Sequence, residues 1–167
     1  ITQNLGRTLE VNEILPKILD SLFKIFVQAD RAFVIMRPRE DGPLVAVAEK
    51  FRRADHEATR ISRTIVEEAM HAKKAILSAD AASDSRFDMA QSISEFQIRS
   101  MICAPMIDNT GNAIGVIQVD TLNQRSRFLN DDLEVLAAVA SQAAVAIENA
   151  KLHDVVLAKQ AIERDLQ

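Results

Sequence analysis

Apolar residues along this chain switch between a helical and a strand period, and the switches mark the elements. From Leu9 to Ala29, the residues Val11, Ile14, Leu15, Ile18, Leu19, Leu22, Ile25 and Phe26 recur at three-four spacing and predict an amphipathic helix. Pro16 is tolerable only in a first turn, so the regular helix is expected to begin close to Asn12. Arg31 to Arg37 is rich in β-formers and stops at Pro38, and Leu44 to Ala48 is a second apolar run. Asp41-Gly42-Pro43 between them signals a turn, so the pair reads as a hairpin with a longer loop. Phe51 to Arg60 is charged and reads as surface loop. Ile61 to Ala72 returns to helical spacing, with Ser62 as N-cap and Ile65, Val66, Ala69 and Met70 as the buried stripe.

Ala75 to Leu77 is a short strand. Asp80 to Ala90 is a small, polar loop with Phe87 as its one large anchor, and Gln91 to Phe96 fits a short helix turning Ile93 and Phe96 inward. Met101 to Ile107 and Asn112 to Leu122 alternate as strands around the turn Asp108-Asn109-Thr110-Gly111. Gly115 inside the second of these marks a bulge or a close backbone approach. Phe128 closes onto the fold, Asn130 is placed to cap a final helix, and Asp131 and Asp132 complement its positive end. Leu133, Leu136, Ala137, Ala140, Ala143, Ala144 and Ile147 give that helix a narrow face of mostly small residues. Beyond Lys151 the pattern becomes a single seam, Leu152, Val155, Lys159, Ile162 and Leu166 on alternating three-four steps. The seam predicts a coiled-coil dimer, with the polar Lys159 helping to set register at some cost in stability; the plainer alternative is a helix docked on its own domain.

Composition narrows the classes. The 167 residues are 48% hydrophobic, enough for one globular domain with a real core. A net charge of −4 argues against non-specific nucleic-acid binding. The apolar runs are short and interrupted, so no membrane span is expected, and the N-terminus carries no signal-peptide pattern. Without an initiator Met the chain reads as a piece of a longer protein. A single cysteine, Cys103, excludes an internal disulfide or a multi-thiolate metal site, and a reducing, cytoplasmic setting is expected. The three histidines show no ligand spacing, and no phosphate-binding loop, nucleophile elbow or paired His and Glu is present, so neither a metal nor a catalytic residue is assigned.

Two stretches then carry a resemblance. SMICAPMIDNTGNAIGVIQVDT is similar to the GAF family's apolar strand with an internal Pro, turn and "G-V-I-Q" strand. RFLNDDLEVLAAVASQAAVAIENAKLH is similar to its closing helix, through Phe128, Asp132, Leu133, Leu136, Ala140, Gln142, Ala144, Ala146, Ile147, Asn149 and Ala150. The resemblance implies an α/β (α+β) fold with a central antiparallel sheet of about six strands. It places the long first and last helices on one face and short helices and loops over a pocket on the other. On that basis residues 1–10 form a helical linker, 11–151 a sensory domain and 152–167 a signalling helix or coiled-coil linker. ISRTIVEEAMHAKKAILSADAASDSRFDMAQSISEFQIRSMICAPM resembles bacterial GAF domains that follow a forkhead-associated domain, and the tail AIERDLQ resembles a linker into a metal-dependent serine/threonine phosphatase. Cyclases and histidine kinases are alternative outputs.

The family's pocket implies a ligand-binding set on the polar stretch Ser78 to Ser92 and the adjoining strand: Asp80, Asp84, Arg86, Phe87, Phe96, Arg99, Ser100 and Cys103. Arg86 or Arg99 suits an anionic group through a bidentate fork, and Phe87 or Phe96 suits a ring. The plainer reading is a solvated loop with Phe87 as its plug. No cofactor is assigned; a cyclic nucleotide or another small metabolite is the implied ligand class. The family's cyclic-nucleotide signature is degraded here, with Gln124 after Asn123 and Asp131-Asp132 in place of Asp-Glu. The family's methionine sulfoxide reductases need several cysteines, and its bilin-binding members carry theirs in another loop. Cys103 therefore reads either as a redox switch or, more plainly, as a buried small hydrophobe. The expected role is a regulatory sensor with a small-molecule ligand, homodimerisation through terminal helices and a covalently linked output domain; the alternative is a ligand-free dimerisation and spacing module.

Overall fold

The computed structural model describes residues 9–37, 42–52, 63–78, 100–121 and 128–165. In chain order these form α1 (Leu9–Ile25), β1 (Arg31–Met36), β2 (Val45–Phe51), α2 (Arg63–Ala72), β3 (Ile76–Ser78), β4 (Ser100–Ile107), β5 (Ala113–Thr121) and α3 (Asn130–Asp165). The strands make one sheet in the order β2-β1-β5-β4-β3, antiparallel throughout. Among the described residues there are five strands rather than about six, and they are the five runs that the hydrophobic pattern marked.

Each strand feeds two cores because side chains alternate across the pleat. Ala32, Val34 and Met36 of β1, Ile102, Ala104 and Met106 of β4, and Ile117 and Val119 of β5 meet α1 and α3. Phe33, Ile35, Met101, Cys103 and Val116 point the other way, toward Ile65, Val66 and Ala69 of α2. β1 is covered on both faces, which is why its run is continuously apolar rather than alternating. In α3 the buried residues are Leu136, Ala140, Ala143, Ala144, Ile147 and Ala150, and the small side chains let its axis approach β4 closely. Phe128 is fully buried and meets Phe26 edge-on at 6.0 Å, locking the start of α3 to the end of α1. Such a ring contributes roughly 1.5–3 kcal/mol by burial.

Several expectations shift. α1 does not wait for Asn12; it begins at Leu9 and carries Pro16 in its interior. Val11, Leu15, Leu19 and Leu22 are all buried, and that packing outweighs the bond Pro16 cannot donate. β2 runs on to Phe51 rather than ending at Ala48, because its last residues pair with Arg31 and Ala32 of β1. Arg52, expected in a loop, closes α1: its Nε donates to the Ala29 carbonyl at 2.7 Å and its Nη2 to those of Phe26 and Phe23 at 3.3 and 3.4 Å. α3 is capped one residue early, since Leu129 donates its amide to Asp132 Oδ2 at 2.8 Å while its carbonyl accepts from Asp132 and Leu133. α2 is stopped by Lys73, the residue after its last, whose φ of 56° is left-handed and unusual for a residue with a Cβ.

The close approach at Gly115 is real. A Cβ there would stand 2.3 Å from the Ile35 carbonyl oxygen on the paired strand. The β4–β5 turn is tied by Asp108, whose Oδ1 accepts from the Thr110 hydroxyl at 2.6 Å and the Thr110 and Asn112 amides at 2.9 and 3.0 Å. Those bonds, the Thr110 hydroxyl foremost, hold its carboxyl below the usual value. Pro105 is accommodated inside β4 because pairing with β3 reaches only to Cys103, leaving that stretch an edge. By length and composition α3 is apolar enough to cross a membrane, which the interrupted runs did not suggest. Its apolarity comes from the Ala-rich stripe, and a third of that window is buried within the domain.

Candidate functional site

The α2 side of the sheet has two unlike halves. Under α2 the surface is dry: Ile35, Val116 and Leu44 pack on Ile65, Val66 and Ala69. Along the same strands toward the other end, it turns polar. The strand register sets Arg31 beside Asp120, Asp120 beside Met101, and Met101 beside Ser78. In the next row on this face Phe33, Gln118, Cys103 and Ile76 stand side by side. Asp120 and Ser78 have no exposed surface and Gln118 has 3%.

Arg31 binds Asp120 through both ends of its fork, Nε to Oδ1 at 2.8 Å and Nη2 to Oδ2 at 3.2 Å. Its guanidinium also lies 5.8 Å from the centre of the Phe33 ring, which in turn meets Phe51 edge-on. Burial pushes the Asp120 carboxyl above its ordinary value, and the charge and hydrogen bonds of Arg31 oppose that push. Gln118 offers its Nε2 to Asp120 Oδ2 at 3.4 Å. A carboxylate only accepts, so the amide nitrogen must face it and the amide oxygen must face away. That oxygen, Gln118 Oε1, is buried and has no partner; neither has the Ser78 hydroxyl. Buried polar atoms are nearly always bonded; these two lie on a single face of three adjacent strands, and a third such atom, Asn12 Oδ1, lies apart on α1.

Of the sequence-predicted ligand residues, Asp80, Asp84, Arg86, Phe87, Phe96 and Arg99 lie outside the described residues, as does Leu166 of the seam. Cys103 is on the polar floor, but burial pushes its thiol up to about 12, which leaves almost no thiolate for redox chemistry at neutral pH. Ser100 does not face the site. It has the parity of Ile102 and Ala104, so the pleat turns it toward α3, where its Oγ accepts the Phe128 amide at 3.0 Å. Arg31, Gln118 and Asp120 were not singled out from sequence. Their signal was available: a Gln and an Asp two residues apart, on one face, inside a β-branched strand. In the sequence Ser78 stands out only as the first residue of the polar stretch Ser78 to Ser92.

A second feature is an open groove of about 520 Å³ at the far end of α2, lined by Arg37, Leu44, Glu67, Met70, His71, Lys73, Asn112 and Ala113. It shares none of the polar floor's residues. No group of three or more His, Cys, Asp and Glu among the described residues is placed to hold a metal.

The seam residues sit on a helix that leaves the domain. Leu152, Val155 and Ile162 are 63, 63 and 62% exposed. Val145, one heptad before Leu152, is also exposed, so the apolar stripe begins while the opposite face of α3 is still docked.

A family model described as the GAF domain matches residues 10–147. Solved structures share the fold. A methyl-accepting chemotaxis protein (its residues 122 to 287) superposes with a TM-score of 0.68 at 21% identity, covering 87% of this chain and 93% of that one. The GAF domain of a two-component sensor histidine kinase from Bacillus halodurans gives 0.65 at 18%, covering 87% and 99%. The type II free methionine-R-sulfoxide reductase of Thermoplasma acidophilum gives 0.64 at 17%, covering 83% and 93%.

Proposed function

The chain belongs to the GAF domain family, and from that premise we propose that it is the non-catalytic sensory domain of a bacterial signal-transduction protein. It binds a small molecule on the α2 side of its sheet and passes the signal through α3 to a covalently linked output domain. The output we assign is a metal-dependent serine/threonine phosphatase, on the resemblance of the tail AIERDLQ. The occurrence of this fold in a sensor kinase and a chemotaxis protein supports a signalling role and keeps a kinase as the alternative output. The setting is cytoplasmic.

The observation that carries the reading is the position of β4. Met101 and Cys103 face the polar floor, while Ile102 and Ala104 between them pack in the core that α3 shares. One strand therefore separates the ligand surface from the outgoing helix. A ligand that moves β4 by a fraction of an ångström repacks the Ala-rich face of α3. The helix continues beyond Ala150 to Asp165 with its seam exposed, which supports closure of that seam by a second copy as a coiled coil. The requirement is a ligand that binds the two helix packings unequally, because equal affinity shifts nothing however tight.

Two measurements test this. Light scattering is expected to give a dimer for the wild type and a monomer with undiminished domain melting for Leu152→Asp/Ile162→Asp; a monomeric wild type rejects relay through paired helices. Thermal unfolding against cyclic nucleotides, other nucleotides and small metabolites gives a shift of roughly 5–11 °C for a ligand at a hundred times its dissociation constant. A dimer that no compound shifts supports the second reading, a ligand-free spacing module, which the exposed seam alone satisfies.

A further inference from the structure

The sensor reading leaves the chemistry of the ligand open, and the polar floor narrows it. We infer that the site takes a compact, uncharged molecule with an amide- or lactam-type edge, donating an N–H to Gln118 Oε1 and hydrogen-bonding the Ser78 hydroxyl. This inference rests on the sensor reading and names the ligand class of the same surface.

Three observations lead there. Gln118 Oε1 is an acceptor with nothing to accept from, and the Asp120 carboxylate holds the amide in the orientation that leaves the oxygen free. The ligand must therefore bring a donor. Ser78 Oγ, also unpartnered and fully buried, both donates and accepts, so it suits either member of an N–H/C=O edge. Among the described residues the charges on this face are paired with each other, Asp120 engaging both ends of the Arg31 fork. A ligand charge that met only these residues would be buried without a counter-ion, which is unfavourable.

Geometry sets the size. Ser78 and Gln118 stand two strands and two residues apart, about 12 Å between Cα atoms by sheet spacing. That span limits a ligand meeting both side chains to one or two rings. Met101 and Cys103 lie between them and give the ligand's faces a soft apolar bed.

Matched probes test the class on the whole chain by NMR titration: uracil against 1,3-dimethyluracil, which lacks the N–H donors, and nicotinamide against nicotinate, which adds a charge. Uracil and nicotinamide are expected to bind at least tenfold more tightly than their counterparts. Gln118→Met abolishes the preference for uracil over 1,3-dimethyluracil, which rests on the N–H donor. Ser78→Ala weakens binding while leaving the melting temperature of the ligand-free domain unchanged or higher, because it removes a buried hydroxyl without a partner. Equal binding within either pair, a uracil preference that survives Gln118→Met, or no binding by all four at millimolar concentration overturns the ligand class. A charged probe that binds and loses affinity in Ser78→Ala overturns the class but leaves the sensor reading standing. A Ser78→Ala variant that melts lower, with no probe bound, shows the floor to be structural and removes both.

Discussion

Arg31→Met is the most informative single change, because it isolates a charge. Asp120 has no exposed surface, and Arg31 satisfies both its oxygens while itself only 14% exposed. Methionine keeps much of the stem's packing on Phe33 and removes the cation. Breaking a buried pair from one side costs about 3–5 kcal/mol, since the partner stays buried and uncompensated. For a chain of 167 residues that is a fall in Tm of roughly 6–20 °C at pH 7. The pH dependence gives the mechanism. Burial already raises the Asp120 carboxyl, and losing Arg31 removes the strongest opposing influence, so in the variant it rises further. The folded variant then holds a proton that the unfolded chain releases near pH 4. Its stability is fullest below that point and falls as pH rises through the folded value, so the deficit against wild type narrows on acidification. Guanidinium unfolding of both proteins between pH 4 and 7 measures it. The double variant Arg31→Met/Asp120→Leu should recover to within about 1 kcal/mol of wild type, as apolar replacements of buried pairs do. A loss under about 1 kcal/mol, or a deficit constant across that range, would refute the view of Asp120 as a buried carboxylate that Arg31 neutralises.

Other substitutions probe the frame around the site. Gly115→Ala drives a Cβ into the Ile35 carbonyl of the paired strand and should cost about 3 kcal/mol, the upper end for overpacking, read as a lower denaturant midpoint. Arg52→Met leaves the last carbonyls of α1 without their cation and should cost about 1 kcal/mol, since the residue is exposed, with faster amide exchange confined to the end of α1. Lys73→Gly relieves the left-handed residue that ends α2 and should raise stability by about 1 kcal/mol, visible as a Tm rise of a few degrees. An unchanged Tm there means that the Lys73 side chain contributes enough to offset its backbone strain.

What local pattern alone determined here is the set of elements. The stripe from Val11 to Phe26, the runs of β1, β4 and β5, and the small-residue face of α3 are periodicities, and a period is a property of neighbouring residues. The Asp108 turn and the close approach at Gly115 were readable for the same reason, because each depends on what a few consecutive residues permit. The resemblance to GAF domains rested on those same local strings. The polar floor was not readable in this way. Arg31 and Asp120 are 89 residues apart and become neighbours only when β1 pairs with β5. Ser78 and Gln118 share a face only because β4 lies between β3 and β5 in register. Pro16 inside α1 and Arg52 at its end are tertiary outcomes too, the first tolerated because the helix is anchored by packing, the second because β2 delivers a cation to open carbonyls. Sequence sets which residues alternate across a strand, whereas only the folded sheet decides which alternating residues meet, and the polar floor is made of those meetings.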